Sequence, residues 1–142
     1  MCIGNPERAS EYAYRDASIS HVKNGIYGAM WVASMISVAP FIQNNEDIIK
    51  TGLMFIPQKS RLYESIMEVI EWYRKGISYD EVVEKIHRRW DEKSSHHWCH
   101  TISNAQIVAT GLLWGRTILA NLYVEVLKQV LILIVMEQQW VL

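Results

Sequence analysis

One stretch, Ser18 to Ala39 (SISHVKNGIYGAMWVASMISVA), constrains the fold more than any other. From Gly25 onward it carries no charge, and Ser34 and Ser37 are its only strongly polar side chains. A helix apolar on every side has no face to turn to water, so it belongs inside a helical core. Gly25, Ala29, Ala33 and Ser37 share one stripe of small residues, where a neighbouring backbone can come close. Ile26, Met30, Trp31 and Met35 fill the other sides. The uncharged part, Gly25 to Ala39, is shorter than the ~20 residues of a membrane span, and Pro40 ends it. A central core helix is therefore expected.

The rest of the chain supplies the helices that would surround it. Asn5-Pro6-Glu7 combines a capping side chain, a proline at the first helical position and an acid in the first turn. Ala9, Tyr12, Ala13 and Ala17 then mark one face of a helix from Pro6 to about Ser18. His21 to Asn24 is a polar break. Asn44 or Asn45 caps a short helix through Ile48, Ile49 and Leu53, which ends before Pro57. Ser60 opens an amphipathic helix with Leu62, Ile66, Val69, Ile70 and Tyr73 inward, stopped by Gly76. Ser78-x-x-Glu81 reads as a capping box for a helix carrying Val82, Val83, Ile86 and Trp90. A last helix spans about Ser103 to Trp114 and closes at Gly115. No segment before Gly115 alternates with period two, so the expected class is all-α, a helical bundle.

Composition narrows the function. At 142 residues there is room for one domain with a modest core. A net charge of −1 gives no electrostatic basis for binding nucleic acid or an anionic membrane. Cys2 and Cys99 are too few for a disulfide framework, which points to a reducing cytoplasm. The opening MCIGNPERAS has no apolar run of signal-peptide length.

Several segments together carry a family resemblance. Arg15-Asp16-Ala17-Ser18 followed by Ser20-His21-Val22-Lys23-Asn24-Gly25-Ile26-Tyr27-Gly28 resembles the ADP-ribosylglycohydrolases, which include the dinitrogenase reductase-activating glycohydrolases. Ile56-Pro57-Gln58-Lys59-Ser60-Arg61-Leu62, Ile70-Glu71-Trp72-Tyr73 and His100-Thr101-Ile102-Ser103-Asn104-Ala105 are similar in the same order. The resemblance covers roughly Asn5 to Gly115, within a helical domain taken as residues 5–116. It implies an all-α fold and hydrolysis of the glycosidic bond to ADP-ribose, assisted by two magnesium ions. It also implies that His21 lies against bound ADP-ribose, with Lys23 and Asn24 beside it in the same break.

Carboxylates for the metals are harder to find. The family draws them from a Thr-Asp-Asp type motif in an N-terminal half and an Asp-Thr-Asp type motif near its C-terminal end. Neither stands in this chain, and Asp16, Asp47, Asp80 and Asp91 are too dispersed to form a pair. The expectation is a central fragment of such a domain, with no metal bound by this chain alone and no activity of its own. Another polypeptide would supply the missing half. The His96-His97-Trp98-Cys99-His100 loop has zinc-type residues, but adjacent histidines rarely reach one ion and no second ligand pair accompanies them. It reads as a loop histidine group, with His100 buried against Asn104. The alternative function is a non-catalytic helical module that binds a partner through an exposed apolar face.

The tail, residues 117–142, departs from the family just after Gly115-Arg116, and its Val130–Met136 run is unusually apolar. A shifted reading frame accounts for it. If Leu131 is TTG and Ile132 is ATA, the frame one base away reads GAT, an Asp. Continuing to Leu142, with residues 127–131 read the same way, the other frame can spell Glu-Ala-Gly-Phe-Asp-Thr-Asp-Cys-Asn-Gly-Ala-Thr-Val-Gly-Ser. That is the type of metal motif the family carries at this place. Met136 and Trp140 have single codons, and each supplies the G that a glycine codon needs. The tail is therefore expected to be frameshifted and unselected for this fold.

Overall fold

Every described helix but one starts on a side chain that accepts a bond from a free N–H of the first turn, the usual remedy for the unpaired donors there. The computed structural model describes residues 2–91, 93 and 100–115. Among them are six helices and no strand: α1 (Pro6–Ala17), α2 (Asn24–Val38), α3 (Asn45–Leu53), α4 (Arg61–Arg74), α5 (Tyr79–Arg89) and α6 (Thr101–Trp114). The all-α expectation holds. The caps are Asn5 for α1, Asn44 for α3, Ser60 for α4, Ser78 for α5 and His100 for α6. The tail and the His96–Cys99 group lie outside the described residues.

The core gathers where α2, α3, α4 and α6 meet. Trp31, Met35, Ile49, Leu53, Leu62, Ile66, Val69, Ile70, Ile102 and Ala109 are all buried there. Each large aliphatic side chain among them contributes on the order of 1.5–3 kcal/mol of transfer free energy. The indole Nε1 of Trp31 donates to Ile49 O at 3.3 Å, which fixes α3 across α2. Buried Gln106 is satisfied on both sides: Trp90 Nε1 donates to its Oε1 at 3.1 Å, and its Nε2 donates to Ser65 O at 3.3 Å. That pair of bonds ties α6 to α4 and to the end of α5.

α4 ends as its glycine predicts. Gly76 takes φ +71, Ile77 N–H donates to Trp72 O, and Gly76 N–H donates to Tyr73 O. This is the Schellman arrangement, which uses up carbonyls the helix would leave free.

Four local expectations are corrected. Ser78 accepts from Glu81 N–H at 3.3 Å, but the Glu81 carboxylate turns to Lys85 at 2.7 Å, so only half of the capping box forms. α6 starts at Thr101 rather than Ser103, because His100 Nδ1 accepts from Ile102 N–H at 3.2 Å and serves as the cap. His100 is half-buried and stacks on Trp90 with ring centres 4.5 Å apart, while Asn104 is exposed.

The fourth correction concerns α2 itself. It is central, yet not covered all round. α1 lies along one side, with Ser34 Oγ donating to Pro6 O and Gly4 N–H donating to Ser37 O. α3 and α6 cover the next side, where a Cβ on Gly28 would lie 2.6 Å from Thr101 Cγ2. The remaining side carries Val32, 37% exposed, and Ile36, 67% exposed. The described helices pack on only part of the cylinder, so an apolar face is left in water. No described helix is long and apolar enough to cross a membrane.

Candidate functional site

His21, Lys23 and Asn24 sit where the chain turns from α1 into α2. α1 runs out at Ala17, whose carbonyl accepts from both Ser20 N–H and His21 N–H, the latter at 2.8 Å. This doubling closes the helix end and sends the chain back along α1. His21 is exposed and its side chain folds over Gly25, where an added Cβ would lie 3.0 Å from His21 Cδ2 and 3.1 Å from His21 Cβ. A larger residue at position 25 would displace the imidazole. Gly25 is thus the floor on which His21 rests.

Ser20 Oγ lies 2.7 Å from His21 Nδ1, so the hydroxyl holds the ring from one side. His21 Nε2 has no hydrogen-bond partner among the described residues. It can accept or donate toward a ligand according to its protonation.

Lys23 follows in a backbone state rare for a side-chain-bearing residue, φ 48 and ψ −115. Such a residue costs of order 1–3 kcal/mol, and the surrounding turn must hold it there. Its conformation starts α2 abruptly, with Asn24 as the first helical residue and no side chain capping the helix. Lys23 and the uncapped start together favour a negatively charged group. Around this turn the chain therefore offers an imidazole nitrogen, an ammonium and a carboxamide to solvent, a set suited to a phosphorylated sugar.

Comparison with protein-family models, curated proteins and solved structures finds no match.

The dispersed aspartates stay dispersed in role. Asp16 lies in the last turn of α1, Asp47 and Asp80 sit in the first turns of α3 and α5, and Asp91 accepts from Lys93 N–H at 2.9 Å. Among the described residues no three His, Cys, Asp or Glu side chains come together to hold a metal ion. These residues do not fit a dinuclear magnesium centre, and no step through one is assigned to them. His100 spends Nδ1 on its cap, which occupies that nitrogen as a ligand.

Sequence reasoning did not single out Ser20, the residue that orients His21, or Gly25 as its floor. The signal for Ser20 was only adjacency. Gly25 offered no such signal, because His21 lies outside any helix and its ring reaches Gly25 only through the conformation of the turn.

Proposed function

We propose that this chain is a helical part of an ADP-ribosylglycohydrolase-like hydrolase, in which the turn between α1 and α2 lies against ADP-ribose. The observation that carries the reading is the unpartnered His21 Nε2, presented from a ring fixed by Ser20 and floored by Gly25. In this reading His21 bonds a ribose hydroxyl, Lys23 faces the diphosphate and Asn24 supplies a carboxamide beside it. The reaction class is hydrolysis: water adds at the anomeric carbon, the glycosidic bond breaks, and the leaving group takes a proton. Two magnesium ions would position that water in the complete family. This chain's part is to bind and orient the sugar, and by itself it is expected to show no magnesium-dependent turnover. A cytoplasmic location accompanies the reading.

Calorimetry with ADP-ribose tests it. Weak binding is expected, weakened further by His21→Ala with the fold intact. Absence of heat at millimolar ligand, or equal binding by the variant, would count against it.

A second reading has its own observation. The bare face of α2, with Val32 and Ile36 exposed, suits a non-catalytic helical module that docks on a partner. Ile19, Val22 and Phe41, all exposed near the two ends of α2, add apolar surface. The two readings part at His21: the module has no use for ADP-ribose.

A further inference from the structure

A second polar recess lies away from the His21 turn. It has a volume of about 370 Å³ and is lined by Gln43, Asn44, Asn45, Glu46, Tyr73 and Leu113, from the start of α3, the end of α4 and the end of α6. α6 begins near α2, where Thr101 meets Gly28. Leu113 is twelve residues further on, about 18 Å along the helix axis. The recess is therefore separate from the proposed ADP-ribose turn.

The lining groups are only partly used within the chain. Asn44 Oδ1 accepts from Glu46 N–H, which leaves its amide NH₂. Asn45 Nδ2 donates to Leu112 O, which leaves its carbonyl oxygen. Glu46 takes Lys50 and Arg74 on Oε1, which leaves Oε2. The Gln43 carboxamide and the Tyr73 hydroxyl have no hydrogen bond among the described residues. The recess thus combines spare donors with spare acceptors.

That balance selects the ligand. Five of the six described lining residues are polar, and an apolar molecule would offer their carboxamides no hydrogen-bond partner. An anion would meet the Glu46 carboxylate, since Lys50 and Arg74 do not line the recess. A cation finds that carboxylate already paired twice. Hydroxyl groups both donate and accept, and match carboxamides and a phenol. The size lies within the range of small-molecule sites, roughly 300–1,000 Å³.

We propose that this recess binds a neutral polyhydroxylated ligand through vicinal hydroxyls, as a free sugar or as the ribose of a nucleoside. The carboxamides of residues 43–45 take the hydroxyls and Tyr73 closes one side, its ring already held edge-on against Trp114 at 4.9 Å.

Amide NMR titration of the full chain with D-glucose, D-ribose, adenosine and inorganic phosphate tests this. Saturable shifts at residues 43–46, 73 and 113, with residues 20–24 unmoved, are expected with at least one hydroxylated probe. Shifts with adenosine and ribose but not glucose would assign the diol to a nucleoside; shifts with glucose too would assign it to sugars generally. Gln43→Ala, at an exposed residue with no structural bond, should weaken binding about fivefold, the effect of one hydrogen bond. Tyr73→Phe should do the same while keeping the contact with Trp114. Phosphate shifting these amides, no response to any hydroxylated probe at its solubility limit, or unchanged affinity in both variants would overturn the proposal.

Discussion

Gly28 of α2 and Thr101 of α6 meet with no space for a side chain between them, since a Cβ on Gly28 would stand 2.6 Å from Thr101 Cγ2. Gly28→Leu should overpack this crossing and destabilise by roughly 1–3 kcal/mol. Gly28→Ala should lose part of this, and the same change in a Thr101→Ser background should recover much of that smaller loss, because the clashing methyl is gone. Thermal unfolding of the three variants checks the contact. An unchanged melting temperature for Gly28→Leu would remove α2 from the core.

The two sides of the bundle should respond differently to truncation. Ile66 is fully buried, and Ile66→Ala should cost about 2–5 kcal/mol. Ile36 is largely exposed, and Ile36→Ser should stay within about 0.5 kcal/mol of wild type. Denaturant titration of both measures the difference. A large loss for Ile36→Ser would mean that its face is covered in solution.

These two residues also show how far the fold could be read in advance. Ile66 obeys a helical period with polar residues between, so its inward direction was legible from Leu62, Val69 and Ile70. Ile36 lies in a segment apolar all round, and such a segment carries no information about which side stays bare. That depends on where the partner helices lie, a long-range property. His100 was missed as a cap for a related reason: its role rests on a ring nitrogen and on Trp90, ten residues away. The His21 turn was legible as a polar break, while the recess at Gln43–Glu46 read only as a helix start.

His100 makes two separable contributions, a cap and a ring stack. His100→Ala should lose both, about 0.5–2 kcal/mol for the cap and about 0.5–1.5 kcal/mol for the stack. His100→Asn should retain the cap alone, and His100→Phe the stack alone. Chemical denaturation of the set gives the partition, with Ala expected to be the least stable of the three.

Glu46 links stability to acid. The side-chain bond from Lys50, then that from Arg74, hold its carboxyl below the ordinary value. A folded pKa below the unfolded one means that the contribution is complete above the unfolded value of about 4.3. It is lost as pH falls through the lower folded value. Glu46→Gln should therefore be less stable than wild type at pH 7 by about 0.2–1 kcal/mol, typical of a partly exposed ion pair. The gap should close in strong acid. A gap independent of pH would assign the loss to packing instead.

The nucleotide sequence over codons 117–142 tests most directly the claim that this chain derives from a magnesium-dependent ADP-ribosyl hydrolase. The account predicts that the frame one base away, from Gln129 to Gln138, encodes Gly-Phe-Asp-Thr-Asp-Cys-Asn-Gly-Ala or a close variant. Codons that spell no such carboxylate motif in that frame would contradict it.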